Sequence, residues 1–531
     1  NGSGTYSLTP NGTNQDLANY LTEDFWNDYG TTKRKFNLNN DGFYAKNGTL
    51  TYNTSANIFD SDGLSNSRAE LVTEAFKIIE ETTGINFELT DDVYADFRFG
   101  DSRSGAWAYA SAYAGNIDYV NINVSSSWNG GRSGFGNYTF QTILHEIGHG
   151  LGLGHQGNYN GEATYGSHAN FGNDSWQSSI MSYFSQSQNS NINADFSYLS
   201  SFMAVDWIAI DDLYSSPKEY GISEAFNEDT NYGFNTNISS STSKVFANLK
   251  TYISSTSFTI VDGGGIDKFD FSGFKNNQLI DLRASKKDSK SLYSSNIAGG
   301  VGNLIIAPGS MIENVFSGEG SDIIIGNEAD NFVDGGDGID TFVLSNNFNE
   351  YSFFTKSEEF LLEGEGLDRL KNIESIRFNN TSKSLLYLEK LTKDYDISDH
   401  IIGSNYSLEY IKDFDGNNVP EDFDFPSIGI ENIDRAVFDL FNDELKFQVT
   451  SKGVAKNVPV IFATGERFAL TRRKNPIRDR NNTNILPLIS IVRENIDIGS
   501  NQGGKGTAIS FRAQPNYVVK KKLSSKLFYP W

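Results

Sequence analysis

Residues 142–157 read TILHEIGHGLGLGHQG. Within them His145, Glu146, His149, Gly152 and His155 fit the pattern H-E-x-x-H-x-x-G-x-x-H, and three of the chain's five histidines fall inside it. Histidines four apart on a helix project from one face, so His145 and His149 can share a metal ion. Gly152 has no Cβ and can take positive φ, which lets the helix stop and the chain turn sharply. That turn brings His155 round as a third nitrogen ligand. Three histidines leave one position of a tetrahedral zinc ion open, the arrangement of a catalytic site. Glu146, beside the first ligand, can take a proton from a water in that position as general base. A glycine-rich helix end with incidental histidines does not account for five constrained positions in so histidine-poor a chain. A purely structural zinc site has no use for a carboxylate next to an open position.

Downstream lies SSIMSYF, residues 178–184. With this second element the sequence resembles the metzincin metallopeptidases, and among them the serralysins, whose zinc motif reads HEIGHxLGLxH and whose later turn reads SIMSY. The resemblance implies an α+β metzincin catalytic domain of a secreted zinc endopeptidase with one catalytic zinc. It implies that Met181 forms an apolar floor under the metal. It also implies that Tyr183 ligates the resting zinc and swings to stabilise the oxyanion. The stretch GAWAYASAYAGNIDYVNIN (105–123) is similar to the family's edge strand, against which a protein substrate pairs as an added strand. Two features depart from the family. Gln156 stands where a proline usually follows the third histidine, and the 158–177 loop diverges, so subsite preferences do not carry over. His168, in that loop, and His400 read as surface histidines.

From Asp262 onward short apolar triplets alternate with Gly/Asp turns. Three nine-residue units run without a gap, SGEGSDIII (317–325), GNEADNFVD (326–334) and GGDGIDTFV (335–343), and an isolated fourth is DGGGIDKFD (262–270). The third fits G-G-x-G-x-D-x-U-x at every fixed position, whereas the second has Asn331 in place of the Asp. In such a unit six residues form a turn whose carbonyls and carboxylate face a metal, and the apolar residue of the triplet points inward. Calcium, a hard cation taking 6–8 oxygens, suits such stacked turns. The pattern resembles the RTX parallel β-roll that follows serralysin catalytic domains. Asp267, Asp322 and Asp340 are then the expected carboxylate ligands. Gly263, Gly265, Gly318, Gly320, Gly336 and Gly338 are the turn positions lending carbonyls. So short a roll suggests about two to four ions.

The composition agrees. The 531 residues hold no cysteine, which removes disulfides, thiolate zinc sites and cysteine nucleophiles together. A net charge of −24 argues against nucleic acid and fits a calcium-rich extracellular setting. No apolar run is long enough to span a membrane. NGSGTYSLTP at the start is neither a Met start nor a signal peptide. A removed leader or a fragment is therefore expected; the family's secretion without a cleaved N-terminal signal agrees with the absent signal peptide and the absent cysteines.

Local patterning adds a helix over 67–82, opened by a capping box at Ser67–Glu70, with strands near 85–89 and 96–99. A hairpin or edge strand is expected over 105–124, and a second helix from about Tyr138 through His149. The resulting division is a catalytic domain over 1–220, a β-roll with a strand-rich extension over 221–395, a linker over 396–426 and a basic β-rich module over 427–531. From Lys452 to Trp531 there are 15 basic and 4 acidic residues. This last module has no counterpart in a serralysin and faintly resembles structural proteins of contractile phage tails. Its Arg472, Arg473 and Lys474, with Lys520, Lys521 and Lys522, suit an anionic or virion partner, or simply a solvated charged face. The alternative for the whole chain is a phage virion-associated or adhesin-like binding protein that uses the protease fold as a scaffold.

Overall fold

The computed structural model describes residues 9–215, 225–356 and 359–393, together with short strands at Ile411–Asp413, Ile433–Asp439, Glu444–Val449 and Phe468–Leu470. The chain divides into two compact units, Asn1–Val343 and Leu344–Trp531. The first unit contains both the histidine motif and the nonapeptides.

Its N-terminal half is a sheet of six strands, β1 (Lys35–Phe36), β2 (Thr49–Asn53), β3 (Asn86–Leu89), β4 (Phe97–Gly100), β5 (Ala106–Tyr113) and β6 (Asn116–Val124). The order is β3-β2-β4-β6-β5, with β1 pairing the start of β6; every pair is parallel except β5 with β6. β5 is thus an antiparallel edge strand, as the tyrosine- and alanine-rich 105–124 stretch leads one to expect. Helix α1 (Asn66–Thr83) packs on this sheet through Phe76, whose ring lies 5.2 Å from that of Phe97, itself 5.1 Å from that of Phe36; helix α2 (Tyr138–Leu151) meets Phe97 at Gly150, where a Cβ would lie 2.5 Å from that ring. The α1 start departs from the expected capping box. The N-cap is Ser65, no side chain caps it, and Glu70 instead pairs with Lys244. Glu70 is drawn to a cation distant in sequence, which a local pattern does not contain.

α2 begins where Asn137 accepts the Thr139 N–H at 3.0 Å and buries Phe140, Ile143, Leu144, Ile147 and Leu151 on one face. It ends at Gly152, with φ +112°; a Cβ there would lie 2.2 Å from the carbonyl oxygen of Arg34. Only glycine accommodates both the left-handed conformation and that approach.

The nonapeptides form two stacks of short parallel strands. One joins Asn231–Gly233, Lys268–Asp270, Asn314–Gly318 and Phe332–Gly336; the other joins Leu279–Asp281, Ile323–Ile325 and Thr341–Val343. The inward residues Phe269, Val315 and Val333 stand in register, as do Ile280, Ile324 and Phe342, and all six are fully buried. Each such side chain contributes about 1.5–3 kcal/mol on burial. The unit at 262–270, isolated in sequence, therefore lies in the same stack as its relatives.

Pairing and hydrogen bonds join residues on either side of position 220. Tyr198–Leu199 pairs with Thr256–Ser257, the Asn14 and Gln15 N–H groups donate to Ser289 and Lys287 carbonyls, and buried Glu74 accepts from Ser243 and the Val245 N–H. In the second unit Ser352–Lys356, Glu359–Glu363 and Leu367–Lys371 form an antiparallel meander. Ile433–Asp439 pairs with Glu444–Val449, and Ile411–Asp413 with Phe468–Leu470. His400, the rest of the expected linker and the cations at 472–474 and 520–522 lie outside the described residues. Among the described residues no helix is long and apolar enough to cross a membrane.

Candidate active site

The Gly152 turn returns the chain so that His145, His149 and His155 converge, each offering a nitrogen within 4.8 Å of the others. Every Nδ1 is held by a carbonyl at 2.8 Å: His145 by Ile180, His149 by Leu153 and His155 by Tyr159. A carbonyl only accepts, so each Nδ1 carries the proton and each Nε2 presents a lone pair. The Nε2 atoms of His149 and His155 stand 3.0 Å apart. Two lone pairs facing each other so closely repel, and a cation between them removes the repulsion. Burial lowers all three imidazoles, His145 to about 4, His149 to about 3 and His155 well below the usual imidazole range, which keeps them neutral and ready to ligate at neutral pH.

Glu146 is buried, one carboxylate oxygen has no hydrogen-bond partner, and burial pushes its carboxyl up to about 8. Its charge also helps raise the phenols of Tyr138 and Tyr183. An orphaned buried oxygen beside a three-nitrogen cluster fits a site that takes a cation and a water. The fit favours zinc, a nitrogen-binding metal.

Met181 is fully buried beneath α2, its sulfur 2.8 Å from where a Cβ on Gly148 would stand. Tyr183 is half-buried with its ring 4.5 Å from that of His155, and burial raises its phenol to about 12. The residues from 179 to 183 are clasped by two buried carboxylates that the sequence reading missed. Asp206 accepts from Ser179 at 2.6 Å, the Ile180 N–H at 2.7 Å and the Met203 N–H at 2.8 Å, and Asp174 accepts from Ser182 at 2.6 Å. Burial pushes both carboxyls up to about 7. Position three of helix α3 (Ala204–Tyr214) was the available signal for Asp206; Asp174 had none. Gln156 replaces the expected proline with profit: its side chain donates to the Leu17 carbonyl at 2.9 Å and its N–H, absent in proline, reaches Met181 O at 3.4 Å. His168 is exposed and accepts the Thr164 N–H at 2.9 Å, away from the cluster.

Two family models match the chain. One, described as metallo-peptidase family M12B reprolysin-like, covers residues 60–203, and the other, peptidase M10 serralysin C terminal, covers 223–466. Metalloprotease AprA of Pseudomonas entomophila is 33% identical over 347 residues, which is 61% of this chain and 66% of that protein. The chain is a serralysin-type metzincin. Metallopeptidase AprA of Pseudomonas marginalis is 36% identical over 249 residues, 45% of this chain and 48% of the relative. Serralysin of Photorhabdus luminescens is 35% identical over 263 residues, 47% and 50%. The chain thus spans about half to two thirds of the length of these serralysin-type relatives. The C-terminal serralysin model reaches residue 466, so 427–466 belongs to the family match and is not foreign to it. Nothing in the matches supports a virion partner.

In the stacked turns the predicted carboxylates each span neighbouring coils. Asp267 accepts the Thr230 N–H at 2.7 Å, Asp322 the Gln278 N–H at 2.6 Å, and Asp340 the Asp322 N–H at 2.7 Å. The second oxygens of Asp267 and Asp322 are buried without a hydrogen-bond partner. Gly318 pairs with Gly336, and a Cβ on Gly338 would meet the Gly320 carbonyl at 2.2 Å, so these turns stack carbonyl on glycine. The Gly263 N–H donates to Ala225 O at 2.6 Å, and Gly265 lies against the backbone of Glu228. Asp262, not singled out from sequence, is fully buried beside Asp267 and accepts from the Tyr232 hydroxyl at 2.7 Å. Among the described residues only the histidines bring three His, Asp or Glu ligand atoms together. A calcium ion in these turns would therefore be held largely by carbonyls, as the glycine spacing leads one to expect.

Proposed function

We propose that the protein is a secreted zinc-dependent endopeptidase that hydrolyses internal peptide bonds of extended protein substrates and is stabilised by calcium in its stacked turns. The observation that carries this reading is the convergence of three carbonyl-locked imidazoles beside the unpartnered oxygen of buried Glu146. His145, His149 and His155 would hold zinc there, and the ion would supply Lewis acidity to the scissile carbonyl and to the attacking water.

The chain's own residues do the rest. An extended substrate adds to the edge of β5 through backbone hydrogen bonds, which sets the scissile bond over the cluster. Glu146 takes the water's proton during attack and returns it to the leaving amine. The Tyr183 hydroxyl donates to the developing oxyanion. His145, His149 and His155 stay neutral and fixed through their Nδ1 hydrogen bonds. Met181 floors the site with an apolar, uncharged surface. Asp267, Asp322 and Asp340, with carbonyls of Gly263, Gly265, Gly318, Gly320, Gly336 and Gly338, would hold calcium outside the cell, where it is abundant. A scaffold role without catalysis gives no reason for Glu146 to keep a bare oxygen in a buried site.

Casein hydrolysis by the purified chain, beside Glu146→Ala and with and without a zinc chelator, tests this. Activity should vanish under chelation, and the variant should lose at least about 10²–10⁴ in kcat while retaining its zinc. A fully active Glu146→Ala would remove the assigned base, and an inactive wild type with one zinc bound would leave a scaffold.

A further inference from the structure

The 158–177 loop holds two buried residues that the proposed reaction does not use, Tyr159 and Asp174. The Tyr159 hydroxyl donates to the Asp174 carboxylate, 3.0 and 3.2 Å from its two oxygens, and accepts the Tyr183 N–H at 3.3 Å. The Ser182 hydroxyl closes the group by donating to Asp174 at 2.6 Å. On its other side Tyr159 meets the metal cluster. Its carbonyl oxygen accepts from His155 Nδ1 at 2.8 Å, and its ring centroid lies 5.8 Å from that of His155. The same ring lies 4.7 Å from the ring of Tyr183. One side chain thus touches both the third imidazole and the tyrosine that faces it.

An apolar residue would fill this space without burying a carboxylate, which is unfavourable unless its donors are well placed. Phe184 and Tyr165 pack nearby and supply such apolar filling already. What the hydroxyl and carboxylate add is direction. They fix the backbone of Tyr183 against the loop that anchors His155. We propose that Tyr159 and Asp174 are a positioning pair that sets the Tyr183 hydroxyl relative to the metal cluster. The inference rests on the role proposed above for Tyr183 and on its ligating the metal at rest, as the family resemblance implies.

Tyr159→Phe keeps the ring and the carbonyl that holds His155, and removes only the hydroxyl. With zinc bound at one per chain, its kcat should fall about tenfold at unchanged KM, the loss expected for one misplaced hydrogen-bonding group. Replacing zinc by copper(II) gives a readout independent of turnover, the phenolate-to-copper charge-transfer absorption of a coordinated tyrosine. The wild type should show this band, Tyr183→Phe should lose it, and Tyr159→Phe should weaken or shift it. Asp174→Asn, similar in volume, should shift it in the same way. If Tyr183→Phe loses band and activity while Tyr159→Phe and Asp174→Asn match the wild type in both, the positioning pair is refuted and Tyr183 keeps its role. If the wild type has no band and Tyr183→Phe is fully active, the reading of Tyr183 itself fails and takes the pair with it.

Discussion

The three histidines lie between residues 145 and 155, whereas the carboxylates of the stacked turns run from residue 267 to residue 340. The two regions also treat burial in opposite ways. Around the histidines burial favours the neutral form, which is the ligating form, so the cluster is comfortable before a metal arrives. Around Asp262, Asp267 and Asp322 burial pushes the carboxyls up, away from the charged form that binds calcium. A nitrogen site can therefore be assembled by the fold alone, while an oxygen site of this kind leans on its ion for stability.

The sharpest way to break this contrast is His155→Ala. It should abolish tight zinc binding and lower activity by about 10³-fold or more, because an open site with two nitrogens holds zinc poorly. The calcium dependence of thermal unfolding should be untouched; metal analysis and calorimetry on one sample check both. Removing calcium with a selective chelator is the converse. At a hundredfold excess over Kd each proposed ion contributes about 2.7 kcal/mol, so several should lower Tm markedly in a scan. An unchanged Tm would remove calcium from the account.

Gly336 offers a smaller test. Its φ is +81°, and a Cβ would lie 2.0 Å from the Gly318 carbonyl, so Gly336→Ala should cost about 2–3 kcal/mol in denaturant unfolding and weaken calcium retention. Zinc content should not change. The smallest effect is in pH. A carboxyl whose folded pKa lies above its unfolded value of about 4 holds more protons when folded. With respect to these groups the calcium-free protein should accordingly be most stable below about pH 4, the unfolded value. It should lose on the order of 1 kcal/mol per raised carboxyl as pH climbs through the folded values. Saturating calcium should flatten that slope. A calcium-free protein growing more stable over the same range would contradict the buried, raised carboxyls.

The metal cluster was legible because its ligands follow from helix geometry, with His145 and His149 one turn apart and Gly152 allowing the return of His155. The β5–β6 hairpin and α2 were legible for the same local reason. The start of α1 was not, since Ser67 and Glu70 imitate a cap while Lys244 claims the carboxylate. Asp174 was invisible because a lone Asp carries no pattern, and the helix-start position of Asp206 signals only a cap; the fold alone brings each to the 179–183 turn that it holds. The tail was misjudged at its near end: its basic texture suggested a foreign module from 427, yet the serralysin match runs to 466. Net charge describes a surface and is weak evidence about descent.

The sequence by itself determined the ligand types, their spacing and the repeat of inward apolar residues, because these depend on periods of 3.6, 2 and nine residues that neighbouring positions impose. Tertiary structure alone decided which carbonyl locks each imidazole and which buried carboxylates clasp the turn beneath them. It also decided how an isolated repeat at 262–270 joins the stack, since these are contacts between residues that only folding makes neighbours.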